Sequence, residues 1–295
     1  MIGVQITPLV VDDRADPEAS PGQDRSWAER FGTAFTRRPL ESLSTIGRTV
    51  RLGGEIVRYA VTDTVSGRLP LGELLEQMWK LLKVTALPAL LMAVPIGAEV
   101  SVQVGGIMDQ VGANSLAGAA SGLGVVGQGA PMAAGLLMSG AAASAIASDL
   151  GARAIREEIE AIRVMGIDPV QRLVVPRFLA MILIAPMLCL VIIAAGVSAG
   201  LIISANVNGV VPGSFWQSFG AFATPTDLCF SILKSVVFAA IVVLIASLRG
   251  LEAKGGPTGV ANAVNASVVL SVFFIFATNL LLSQVQTMFF PARLA

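Results

Sequence analysis

Three stretches of this chain hold no Asp, Glu, Lys or Arg: residues 114–148, 178–226 and 255–292. A membrane-crossing helix needs about 20 mostly apolar residues. Buried helices of soluble proteins rarely come as several runs of this length. Charged residues make up 14% of the 295 positions and hydrophobic ones 54%, where soluble domains run near a quarter charged. The fold class that follows is all-α: a polytopic membrane protein with about five transmembrane helices.

The rest of the chain can be placed around those runs. Residues 1–30 carry Asp12, Asp13, Asp16, Pro17, Glu18, Pro21 and Gly22 with no apolar signal core. Residues 1–37 therefore read as a disordered cytoplasmic tail, and 38–295 as one membrane domain. Over 38–69, Leu43, Ile46, Val50, Val57 and Val61 fall near one helical face, with Arg48, Arg51 and Arg58 supplying charge. That pattern predicts an N-terminal helix lying in the membrane interface. Pro70 suits the first position of a further helix, anchored by Trp79, Lys80 and Lys83. The first span is then expected to begin near Val84 and to be kinked at Pro88 and Pro95. Residues 114–148 exceed one ordinary span, and Gly127-Gln-Gly-Ala-Pro131 offers a break. A short or re-entrant piece is expected before it, and the second span over 131–149. The remaining spans are expected at 174–205, 229–248 and 263–290. Between them lie an external loop at 206–227 and a flexible, glycine-rich internal loop at 249–261.

Charge orients this set. Of 20 Lys and Arg residues, all but Lys234 and Arg293 lie in the region up to Lys83, in 150–177 or in 249–254. The proposed external loops 104–116 and 206–227 hold none. The positive-inside rule puts the N-terminus in the cytoplasm and the C-terminus outside a plasma (inner) membrane, and five spans give that parity.

Catalytic chemistry is hard to find. The chain has no histidine, the commonest general base and metal ligand. It has no GxxxxGK[ST] for a nucleotide and no acidic pair in a soluble cleft. Cys189 and Cys229 stand in apolar stretches and read as small hydrophobes. The expectation is a non-catalytic chain that holds neither cofactor nor metal.

The segment 152–165 stands out. Ile155, Ile159 and Ile162 recur at i, i+4 and i+7. Arg153 with Glu157, and Arg156 with Glu160, are spaced as i,i+4 pairs. Gly166 suits the position past a helix end, Asp168 can cap the next helix, and Pro169 suits its first position. A short charged amphipathic helix between two spans is expected, either resting on the membrane or docking into a partner. Intramembrane charge adds two candidates for a lipid pathway or a structural pair, Glu99 and Lys234.

The stretch from Ile159 to Ala180, IEAIRVMGIDPVQRLVVPRFLA, resembles the signature region of the MlaE/YrbE permeases, the membrane subunits of ABC transporters that work with MCE lipid-binding proteins. Gln128-Gly-Ala-Pro131, Lys234-Ser-Val-Val-Phe-Ala239 and the glycine-rich 255–269 match in the same order, over roughly residues 40–290. The chain departs from the usual pattern at Glu157-Glu-Ile-Glu-Ala-Ile162 and at Asn262 and Asn265, where threonines are common. Residues 100–105 and 155–159 resemble the actinobacterial "A" type, which pairs with a "B" chain.

The resemblance implies the rest. Two permease chains would form the core, a cytoplasmic ATPase would hydrolyse ATP with Mg, and a hexameric MCE assembly would carry lipid outside the membrane. Arg156, Glu157, Glu158, Ile159, Glu160, Ile162 and Met165 would belong to the helix that couples to the ATPase, with the isoleucine stripe docking. The alternative is a secondary transporter or channel acting alone. It would require midplane ion-coupling groups and internal repeats, and neither is evident.

Overall fold

The computed structural model describes residues 47–48, 51–60, 62 and 71–290. The predicted tail, residues 1–37, lies outside the described residues. The chain divides into two units, Met1–Arg48 and Thr49–Ala295, and all that follows concerns the second. Its elements are α1 (residues 51–60), α2 (Leu71–Gln110), α3 (Ala117–Ile155), α4 (Glu158–Val164), α5 (Val170–Val207), α6 (Pro212–Phe222), α7 (Pro225–Leu251) and α8 (Gly256–Phe289). No strand occurs among the described residues. Helices α2, α3, α5, α7 and α8 are long and apolar enough to cross a membrane. The five spans and the all-α class agree with the sequence reading.

Several boundaries differ from expectation. No break separates an interfacial piece from the first span: α2 runs unbroken for 40 residues through Pro88 and Pro95. At about 1.5 Å per residue this length reaches well beyond the hydrocarbon core. The loop expected to be external, 206–227, contains α6, with Pro212 in its first turn and its Phe215 ring wholly buried beside Trp216 and Phe219. The loop expected to be internal, 249–261, shrinks to residues 252–255, because α7 runs to Leu251 and α8 is already helical at Gly256. Helix α1 buries Leu52, Ile56 and Ala60, and Leu52 and Ile56 pack against Val174 and Leu248. Val57, expected on the apolar face, is instead exposed. The helix has two apolar stripes, and tertiary partners select between them.

Helix α3 is central. Of its most apolar window 67% is buried, against 17% for α8. Ala, Gly and Ser dominate it, so backbones approach closely, as bilayer helices do in the absence of a hydrophobic drive between them. The same device joins α2 to α5. A methyl group built on Gly97 would collide with the carbonyl of Gly196. One turn on, Ser101 Oγ donates to Gly200 O at 3.0 Å and lies 2.7 Å from Ser204 Oγ.

The expected break at Gly127–Pro131 is absent. Instead, residues Gly122–Gly129 are π-helical and α3 continues. Ala130 N–H donates to Val125 O, five residues back. In that register the next donor is Pro131, which has no N–H, so Val126 O loses its helical partner. Ser231 Oγ of α7 donates to it. The wider π turn thus passes the proline without breaking the helix.

Two predictions follow from this packing. Gly97→Leu should destabilise the purified protein by about 1–3 kcal/mol or more through overpacking. Gly106→Leu, on the same helix with nothing within 4 Å of the new Cβ, should leave thermal unfolding in detergent unchanged. Equal behaviour of the two variants would contradict the packing. Separately, Ser231→Ala strands a buried carbonyl and should destabilise by about 1–3 kcal/mol. In Pro131→Ala/Ser231→Ala the restored amide removes most of that loss, and a thermal-melt double-mutant cycle reads the non-additivity.

Candidate functional site

The charged segment between α3 and α5 is a helix–turn–helix elbow, not the single helix the pattern predicts. Helix α3 ends at Ile155, Arg156 and Glu157 form a turn, and α4 holds only Glu158–Val164. Glu157 has φ 60°, the one positive φ among described residues other than glycine. That conformation is unfavourable by roughly 1–2 kcal/mol for an L-residue. The break also dissolves the expected Arg153–Glu157 and Arg156–Glu160 pairs, since i,i+4 neighbours across it no longer share a face.

Other partners hold the elbow. Arg153 reaches Asp149 at 3.4 Å and Glu158 at 3.5 Å, and Arg156 reaches Glu158 at 3.2 Å. Asp149 also accepts from Arg177 of α5, a guanidinium only 2% exposed that donates to Leu173 O as well. One chain of charges therefore runs Arg156–Glu158–Arg153–Asp149–Arg177, joining α4 to the bases of α3 and α5. Arg172 adds a tie to Glu73 of α2 at 3.5 Å.

The isoleucine stripe faces inward. Ile159 is buried in the chain's own core and Ile162 packs against the same cluster, so neither is free to dock as expected. Outward face Arg156, Glu157, Glu160 and Arg163, and the far end is apolar: Val164 is 88% exposed and Met165 66%. Gly166, at φ 77°, and Ile167 close α4 by donating to Arg163 O at 3.0 Å and Ile162 O at 3.2 Å. Asp168 then caps α5, accepting from Val170 N–H at 2.8 Å, as its spacing before Pro169 predicts.

The two intramembrane charges are not a pair. Glu99 stands exposed on α2 and accepts from Gln103 Nε2 at 2.9 Å. Lys234 is fully buried between α7, α3 and α8. Its ammonium donates to Gly127 O at 3.3 Å and to Ser283 Oγ at 3.0 Å. Gln128 donates to Ser283 at 3.1 Å and accepts from Asn279 at 3.4 Å, and Gln286 donates to Asp227 at 2.9 Å. Asn279, Ser283 and Gln286 recur at i, i+4 and i+7 on α8, a polar stripe that periodicity could have revealed. Asp149 and Arg177 left a weaker signal, because they lie 28 residues apart. Between α2 and α5 an open apolar groove of about 370 Å³ is lined by Val94, Ala195, Ser198, Ala199, Ile202 and Ile203. Among the described residues no group of three His, Cys, Asp or Glu could hold a metal ion. Cys189 and Cys229 are unpaired.

Comparison with known proteins is consistent across this whole bundle. The family described as Permease MlaE matches residues 74–285. A probable ABC transporter permease protein of Synechocystis is 30% identical over 219 residues, covering 74% of this chain and 83% of its own length. The chloroplastic protein Trigalactosyldiacylglycerol 1 of Arabidopsis thaliana is 30% identical over 154 residues, 52% of this chain and 44% of that protein. The intermembrane phospholipid transport system permease protein MlaE of Haemophilus influenzae is 27% identical over 157 residues, 53% of this chain and 60% of that protein. The matches thus span less than two thirds of the last two relatives. With the family profile extending from the first turn of α2 nearly to the end of α8, the chain belongs to the MlaE permease family.

Proposed function

We propose that this chain is the membrane permease subunit of an MCE-type ABC lipid transporter, moving hydrophobic lipids across or out of the inner membrane. Fatty acids, mycolate-like lipids, sterols and phospholipids are all candidate cargoes, and the apolar groove between α2 and α5 supports a hydrophobic one. The naming of the Haemophilus relative for phospholipid transport supports a lipid cargo. In this reading ATP is hydrolysed, with Mg, by a separate cytoplasmic ABC ATPase, and this chain is not itself an enzyme. Its further partners are a second YrbE-like permease chain of the B type and a hexameric MCE assembly outside the membrane. The resemblance of residues 100–105 and 155–159 to the actinobacterial A type supports that pairing. Residues 38–295 form the permease domain, with the N-terminus cytoplasmic and the C-terminus external.

The observation that carries the reading is the elbow. A short charged helix stands between two spans and is tied by the Arg156–Glu158–Arg153–Asp149–Arg177 chain to both. Its apolar tip, Val164 and Met165, is exposed. An ATPase groove that seats the tip would push α3 and α5 together. Arg156, Glu157 and Glu160 supply charge for specificity, while Glu158, Ile159 and Ile162 hold the helix in place. Lys234 and Glu99 remain candidates for the lipid pathway. Lys234 is enclosed in this conformation, so it would meet a headgroup only after α7 and α8 separate.

Two experiments test this reading. Met165→Asp places a carboxylate at the docking tip. It should cut ATPase retained on the purified permease by tenfold or so and stop ATP-driven lipid transport, with membrane insertion unchanged. Ile159→Asp should instead lower thermal stability, because it buries an unpaired carboxylate. Full retention and transport with Met165→Asp would remove the tip from the coupling surface. For orientation, in a Cys229→Ser background, Gly213→Cys should react with an impermeant thiol reagent in intact cells and Glu160→Cys should not. The reverse pattern would invert the topology.

A further inference from the structure

Helix α1 is not a free amphipathic anchor. On its buried face Leu52 and Ile56 pack on Val174 at the base of α5 and on Leu248 near the end of α7. Phe178, Leu244 and Leu251 complete the contact, and a Cβ on Gly53 would rest 3.5 Å from Leu244. So α1 spans the bases of two different transmembrane helices. Two of its charged residues, Arg51 and Glu55, pair with one another at 3.1 Å on the outside.

Tyr59 carries a polar contact out of this strap. Tyr59 Oη donates to Asp168 Oδ2 at 2.8 Å, while Asp168 Oδ1 accepts from Val170 N–H at 2.8 Å. Both oxygens of one carboxylate are therefore committed, one to the start of α5 and one to α1. Asp168 stands three residues after Met165, the exposed tip of the elbow. A displacement of α4 has to pass through this turn to reach α5, and Tyr59 links the same turn to the helix that also grips α7.

We infer that Tyr59 is a positioning residue for energy coupling: acting through Asp168, it ties the turn after α4 to α1, so that movement of the elbow is delivered to α7 as well as α5. This rests on the permease reading above. A hydrogen bond to a carboxylate is directional and stronger than one between neutral groups, so the link fixes an angle that apolar packing alone leaves loose. Tyr59→Phe keeps the ring and its packing and removes the link alone.

The test uses the permease assembled with its ATPase in lipid vesicles, with labelled phospholipid as the probe. In Tyr59→Phe, ATPase retention and the rate of ATP hydrolysis should match the unmodified complex, and lipid moved per ATP hydrolysed should fall about fivefold, the factor a lost hydrogen bond gives. An unchanged ratio would overturn the inference. A parallel loss of hydrolysis, retention and thermal stability would also overturn it, since that marks a merely structural residue. If the unmodified complex moves no lipid with ATP, the permease reading itself fails and the coupling role falls with it. A second measurement needs no transport. Tyr59 is the chain's single tyrosine, so phenolate absorbance of the full chain reports it alone. The hydrogen bond to Asp168 and that carboxylate's charge raise its pKa, with a smaller push from Glu55 and an opposing pull from Arg58. The neutral phenol is favoured, so titration should begin above the usual phenol range of about 10 and return to it in Asp168→Ala. An ordinary midpoint in the unmodified chain would show that the link does not form.

Discussion

Inside a bilayer no water is at hand for a backbone carbonyl that has lost its amide donor. Pro131 creates that situation in the middle of α3, the most enclosed helix of the bundle. The carbonyl of Val126 is answered by Ser231 and that of Gly127 by Lys234, two residues one turn apart on α7. Their spacing fixes both the rotation and the depth of α7 against α3. The lysine then needs a further acceptor and finds Ser283 of α8, which Gln128 and Asn279 surround. A buried ammonium, costly in an apolar medium, is tolerated here because a carbonyl and a hydroxyl meet it. One imino acid thus accounts for the Ser231 contact, and the lysine beside it carries the polar wiring on to α8.

The remainder of the interior is held by close approach. Gly97 against Gly196, Gly118 against Phe215, and Gly250 against Leu150 and Ala147 leave no room for a side chain. Such contacts have no near-degenerate alternative, since sliding either helix by part of a turn brings backbone into collision. The ends where α3 closes and α5 begins are different. There the buried Arg177 of α5 holds Asp149 of α3, while Glu73–Arg172 ties α2 to α5 and Arg153–Glu158 ties α3 to α4, both at partly exposed sites. Pairs of this kind are individually worth less than about 1 kcal/mol and re-form at modest expense. A force applied at that end, as the proposed coupling requires, meets a rigid bundle whose outer ties can re-form, so geometry can change there without unpacking the interior.

How much of this was legible in the sequence differs by level. Five spans followed from charge-free runs, because exclusion of charge from lipid acts on every residue of a span. The junctions were harder. Pro131 looked like a helix end, and it would be one had Ser231 not stood opposite, a fact that lies 100 residues away in the chain. The helical α6 was hidden because its Phe215-Trp216-Phe219 cluster serves equally for an interface loop. At the elbow, Gly166 and Asp168-Pro169 marked the far end correctly, since caps are local. The near end was missed, because a left-handed glutamate at position 157 has no local signature and persists only when partners on both sides impose it. The same break rerouted the ion pairs, and Arg177 joined them from the next span.

The inward turn of Ile159 and Ile162 changes what the elbow is able to do. A docking helix fastened only by its two connecting turns could rock in a partner's groove while the spans stayed still. Here the apolar stripe is embedded in the same core that holds Leu150 of α3, Leu173 of α5 and Val243 of α7. Lifting α4 away would expose that stripe and unpair Glu158 from two arginines at once, whereas tilting it with α3 and α5 preserves both. The softer motion is therefore the concerted one. The strained turn at Glu157 lies at the junction where α3 and α4 change direction, and the glycine turn at 166 closes the other end. Between those points α4 acts as a short lever whose apolar tip projects from the bundle and whose root lies within it.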